Sequence, residues 1–269
     1  MRFLLIIFLL ISGLSLMNIG YAQNKTINSR QLLAKTNQAN DVVYTNSYSE
    51  NLTSGNYIQL IDSTANTAGA SGHFSRVYSK TMRNIASQAE GMENDQKLFI
   101  KRFEAAFADY FLKACFAYKS GDLSETSEWK CFYSSPDARP WQIVLLGVNA
   151  HINIDFWQAL TDNFSEKEIR QNKKQLLACR SSVAKVYSQL YNTMTGESRY
   201  LNFINGFTKG FARELGEKIM FKWRRRAIDL AILFYHNPEK FKKRWLIIRK
   251  KKNKNDKLIL RKKNLTRSM

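Results

Sequence analysis

Between residues 73 and 236 apolar side chains recur every three or four positions, and nowhere do they alternate cleanly over five or more residues. That periodicity belongs to amphipathic helices and excludes half-buried strands. Phe74, Val77, Tyr78, Met82 and Ile85 predict a helix over 73–89, and Phe99, Phe103, Ala106, Tyr110, Ala114 and Tyr118 one over 96–119. Pro140 suits the first turn of a helix running to about residue 161. Ser165 and Glu168 form a capping box, followed by a stripe of Ile169, Leu176, Cys179, Val183, Val186, Leu190 and Met194 that Thr195-Gly196 stops. A long helix over 199–235 turns Phe203, Phe207, Phe211, Leu215, Ile219 and Trp223 inward, and Asn237-Pro238-Glu239 caps a last helix. The expected fold is all-α, a single bundle-like domain over 73–236 with a basic helical extension over 237–269. Residues 23–72, rich in Asn, Ser, Thr and Gly, read as a loosely structured lead-in with only short turns.

Charge separates the extension from the body. Of the +20 net charge, +15 falls in residues 221–269, where 18 Lys and Arg face three acids. The body is therefore ordinary in charge, and the whole chain does not read as a nucleic-acid binder. The extension alternates Phe241, Trp245, Leu246 and Ile248 with cations, a pattern drawn to anionic membrane surfaces through Arg249, Lys250, Lys251, Lys252, Arg261, Lys262 and Lys263. A solvated tail fits the same residues, and nucleic acid is the least favoured partner. On either reading, removing 239–269 should leave the body folded.

Met1-Arg2, the apolar run over 3–19 and the small residues Gly20 and Ala22 describe a secretory signal peptide over 1–22, with Gln23 as the new N-terminus. The expected location is then the periplasm or the exterior. Cys115 and Cys131 flank a corner and could bridge in an oxidising compartment, or serve with Cys179 as small buried hydrophobes.

The most informative stretch is LLGVNAHINIDFWQAL, residues 145–160. It is apolar nearly all round, which marks a buried helix, yet it carries Asn149, His151, Asn153 and Asp155. His151 and Asp155 share one face, and Asn149 and Asn153 share another about 160° away. Burying four polar side chains costs on the order of 1–3 kcal/mol each unless each finds a partner, so the pattern demands a polar network. Two readings follow from the residues. In one, His151 is a general base oriented by Asp155 and acts on a small molecule; in the other, the four residues tie the core together. An open pocket at His151 favours the first, with a cost of ~1 kcal/mol for His151→Ala; tight packing favours the second. A metal would need distant carboxylates such as Glu104 or Asp109, and no metal-ligand spacing, phosphate loop or nucleophile elbow occurs. No cofactor is specified.

With Pro140-Trp141 before it, this run resembles the signature of a bacterial domain of unknown function, number 5995, as do HFSRVYSKTMRNIA at 73–86 and FADYFLKACFAYKSGDLSETSEWKCF at 107–132. Phe156 departs from the Leu usual there. The resemblance implies an all-helical fold and draws attention to Asn149, His151, Asn153 and Asp155, without implying a reaction.

Overall fold

The stripe at Phe74, Tyr78, Met82 and Ile85 is buried along one helix face in the computed structural model, which describes residues 54–122, 128–197 and 211–260. All elements among these residues are helical. They run α1 (Ser54–Ala65), α2 (Gly69–Ala89), α3 (Asn94–Lys119), α4 (Lys130–Tyr133), α5 (Pro140–Ala150), a π-helical turn (His151–Asp155), α6 (Phe156–Asn163), α7 (Glu166–Gln171), α8 (Lys173–Ala178), α9 (Arg180–Glu197), α10 (Phe211–His236) and α11 (Pro238–Leu260). The rod formed by α5, the π turn and α6 runs through the middle, touched by α2, α3, α10 and α11. Its all-round apolar sequence is what a helix without a solvent face requires.

Local signals in the sequence explain the helix ends. Pro140 opens α5, where its missing N–H costs nothing. Ser165 and Glu168 close their capping box, the Glu168 N–H donating to Ser165 Oγ at 3.3 Å and the Ser165 N–H to Glu168 Oε2 at 2.9 Å. Asn237 Oδ1 accepts from the Lys240 N–H at the start of α11. At the end of α3, Gly121 takes φ +77° and the N–H groups of Gly121 and Asp122 return to the carbonyls of Tyr118 and Ala117. This paired closure needs a residue at ease in the left-handed region. Gly147 serves close approach: a Cβ there would sit 2.4 Å from the Phe74 ring. That contact seats α2 against α5.

The helix α3 is buried more widely than the expected stripe. Phe107, Phe111, Leu112 and Cys115 join Phe99 and Phe103 in the core, whereas Tyr118 is exposed. The reason is that α1, α2 and α6 all pack on it. On α10 the buried face is Met220, Arg224, Ala227, Ile228 and Ala231 rather than Leu215, Ile219 and Trp223, and the phenylalanines expected at 203 and 207 lie outside the described residues. The expected helix after Ser165 is divided into α7, α8 and α9 at Asn172 and Cys179. Cys115, Cys131 and Cys179 are free thiols; Cys115 Sγ accepts from the Tyr133 hydroxyl at 3.3 Å.

Both ends of the expected domain need correction. Residues 54–65 and 69–72, read as part of a loose lead-in, are helical: Tyr57 and Ile61 of α1 are buried against α2 and α3. A two-residue stripe diluted by Asn, Ser and Thr carries too little periodicity to be recognised. The C-terminal extension is not detached from the body. Phe241, Ile248, Lys252, Asp256 and Ile259 of α11 are buried, and Trp245 packs on Trp157 with ring centroids 5.2 Å apart. Lys252 cannot meet a membrane surface, since its ammonium donates to the Glu128 carbonyl and pairs with Asp256 at 3.0 Å. Arg249 pairs with Glu128 at 2.5 Å, while Lys250 and Lys251 face outward. Arg261, Lys262, Lys263 and the expected signal segment 1–22 lie outside the described residues. No helix among the described residues is long and apolar enough to cross a membrane.

Candidate functional site

The four polar residues of the central rod are all buried, none more than 3% exposed, and the structure divides them into two pairs with different surroundings. Asn149 and Asn153 belong to a structural network. Asn149 Nδ2 donates to the Lys252 carbonyl at 3.0 Å and to Asp256 Oδ1 at 2.7 Å. Asn153 Nδ2 donates to Asn149 Oδ1 at 2.9 Å, and Arg226 Nη2 donates to Asn153 Oδ1 at 2.8 Å. One line of hydrogen bonds thus joins α10, the rod and α11. Each amide oxygen and hydrogen on it is matched, which is how buried polar groups repay their desolvation.

His151 and Asp155 begin and end the π turn, whose last bond is the Phe156 N–H to the His151 carbonyl. A π turn inserts an extra residue into a helix, a device concentrated at functional sites. The expected shared face is present: His151 Nδ1 lies 2.8 Å from Asp155 Oδ2. The same carboxylate oxygen accepts from Trp129 Nε1 at 3.2 Å. The imidazole stacks on Phe107 with centroids 3.5 Å apart and planes 8° from parallel, and the Tyr78 ring meets it edge-on at 4.6 Å. Burial, with Arg224 adding to it, pushes the His151 pKa well down, so the ring is held neutral. Burial pushes Asp155 up, against the pull of the Trp129 N–H and Lys252. His151 Nε2 is buried with no hydrogen-bond partner among the described residues.

Beside His151 is a cavity of about 60 Å³, with walls that include Val77, Tyr78, Ile152, Val183, Met220 and Arg224. His151 lines it and Asp155 does not; the carboxylate sits behind the ring. The Tyr78 hydroxyl is also buried without a partner among the described residues, and burial, with Glu104 and Asp155 nearby, keeps its pKa well above the usual tyrosine range. Arg224 is 4% exposed; its Nη2 donates to the Leu176 carbonyl at 3.2 Å and its guanidinium lies over Phe156 at 5.1 Å. Among the described residues no three His, Cys, Asp or Glu side chains converge as a metal site.

Tyr78 and Arg224 are the site residues that sequence reasoning missed. Tyr78 read as one more apolar position of a stripe. Arg224 stood in a run of three arginines at the edge of the basic region, where it looked like another solvated charge. Its signal was spacing, since it lies four residues before the fully buried Ile228.

No curated protein and no solved structure matches the chain. A family model does match, over residues 57–259, which take in every helix from the buried face of α1 to the Ile259 contact of α11. The chain therefore belongs to a family of unknown function, DUF5995.

Proposed function

We propose that the cavity beside His151 takes up a small molecule and that His151 acts on it as a general base. The observation that carries this reading is the uneven use of the imidazole: Nδ1 is engaged by Asp155, while Nε2 is buried, unpartnered and part of a residue that walls a cavity. A neutral ring that donates from Nδ1 to the carboxylate keeps its lone pair on Nε2, as a base requires. The carboxylate fixes the tautomer and steadies the positive charge that develops when the ring takes a proton. Tyr78, protonated at any ordinary pH, is a hydrogen-bond donor for negative charge appearing on the bound molecule.

This assigns a tautomer, which long-range proton–nitrogen NMR of ¹⁵N-His-labelled protein measures. The parent should show His151 protonated at Nδ1 alone. In Asp155→Asn an amide oxygen in the same place accepts from both Trp129 Nε1 and His151 Nδ1, so the proton should stay on Nδ1. A parent protonated at Nε2, with Asp155 as the proton donor, would remove the base and sink the reading.

The outward face of α11 favours a second reading, contact with an anionic membrane surface. Leu246 and Ile247 are 48% and 53% exposed and are flanked by exposed Lys243, Lys250 and Lys254. Apolar side chains ringed by lysines suit shallow insertion between acidic headgroups. The protein should float with vesicles containing phosphatidylglycerol, and added salt should release it as screening shortens to about 8 Å at physiological ionic strength. Replacing Leu246 and Ile247 together with Ser should lower binding about tenfold. Intact protein that ignores such vesicles at low salt refutes this reading.

A further inference from the structure

A buried guanidinium without a counter-ion is expensive, because the desolvation of an isolated charge is repaid only by a partner of opposite sign. Arg224 is in that position. It is 4% exposed, it walls the cavity, and among the described residues no carboxylate forms an ion pair with it. Among the described residues it donates to the Leu176 carbonyl, which leaves further donors of the guanidinium fork. Glu104 is the carboxyl whose charge Arg224 feels, but burial pushes Glu104 up to about 7, so at neutral pH it supplies only part of a negative charge. Val77, Ile152, Val183 and Met220 give the wall an aliphatic part, beside which Thr81 and Tyr187 also line it.

We infer that the cavity is a binding site for a small monocarboxylate, its carboxylate on Arg224 and its short alkyl chain among Val77, Ile152, Val183 and Met220. This rests on the reading of the cavity as a small-molecule site and adds the class of the molecule. Three features decide the class. A planar two-oxygen anion matches the guanidinium fork. One cation on the wall balances one negative charge, which a phosphate dianion exceeds. The volume of about 60 Å³ is several times the roughly 10–15 Å³ of such space that one water needs, so a ligand of a few heavy atoms fits it. Tyr78 lines the same wall, and its hydroxyl is buried without a partner among the described residues.

The test uses the full-length protein with sodium butyrate, butyramide and sodium phosphate at equal ionic strength, each titrated to tens of millimolar. Butyrate should raise the melting temperature in proportion to the logarithm of its concentration, as a ligand of the native state does. Butyramide, its uncharged counterpart, and phosphate should leave it unchanged. In Arg224→Met the free protein should melt at or above the parent temperature, because an uncompensated buried charge has gone, and the butyrate response should vanish. If that variant does not fold, Arg224→Lys keeps the charge but loses the fork, and should weaken the butyrate response at least tenfold. Equal protection by butyramide overturns the anion assignment, and so does protection by phosphate without butyrate. No shift with any probe overturns it too. None of these outcomes touches the tautomer of His151, which stands or falls by its own NMR measurement.

Discussion

Deleting residues 238–269 is expected to leave a chain without a cooperative unfolding transition. The basic composition of this segment reads as a dispensable tail, but α11 supplies three hydrogen-bond acceptors to the central rod. The Lys252 carbonyl and Asp256 Oδ1 take Asn149 Nδ2, and the Ile259 carbonyl takes Gln142 Nε2 at 2.7 Å. Leaving such groups buried and unmatched costs about 1–3 kcal/mol each. Loss of the buried Phe241, Ile248 and Ile259 side chains adds roughly 2 kcal/mol apiece. Together these rival the whole stability of a domain, about 5–15 kcal/mol. Thermal unfolding followed by circular dichroism decides the matter: a truncated chain that melts sharply within a few degrees of the parent would show that α11 only decorates the bundle.

The second large effect is expected from His151→Ala. A hydrated pocket at this position would let water replace the imidazole for ~1 kcal/mol. The cavity does not hydrate the ring, which is 2% exposed and packed on its other sides. The ring stacks on Phe107, is met edge-on by Tyr78, and lies 2.8 Å from the buried Asp155 oxygen that also accepts from Trp129. Removing it enlarges the existing cavity and strips a buried carboxyl of a partner, so the cost should be about 3–5 kcal/mol. A fall in melting temperature of more than about 10 °C is the expected result. Asp155→Asn, which keeps the volume and the hydrogen bond to Trp129, should fall less. Equal, small losses in both variants would mean that water reaches the ring and that the packing described here is looser in solution.

How much of this was legible beforehand follows from which residues carry period. The helices of the body were legible because Phe74, Met82, Ile85, Phe99 and Phe103 repeat at helical spacing. The caps at Ser165 and Asn237 were legible because each needs only two or three residues. The demand for a polar network on the rod was also legible, since four polar side chains cannot sit in an apolar helix alone. Its division into an Asn pair that braces α11 and a His–Asp pair beside a cavity was not, because the partners of the Asn pair, the Lys252 carbonyl, Asp256 and Arg226, belong to charged residues that sequence reading assigns to water. On α11 the buried positions 241, 248, 252, 256 and 259 have helical spacing, but two of the five are ionic, so the apolar stripe reads as ending at Ile248. Arg224 was hidden in the same way. The π turn has no signal in residue type at all; it is a choice of hydrogen-bond register.

The bond between Asn149 and Asp256 spans 107 residues. On a ribosome adding about 5–20 residues per second, the rod is therefore complete for roughly 5–20 s before its last acceptor has been made. During that interval the amide of Asn149 and the apolar face awaiting Phe241 and Ile248 have no native partner. A product cut short before residue 256 lacks the side-chain acceptor that Asn149 has in the complete chain.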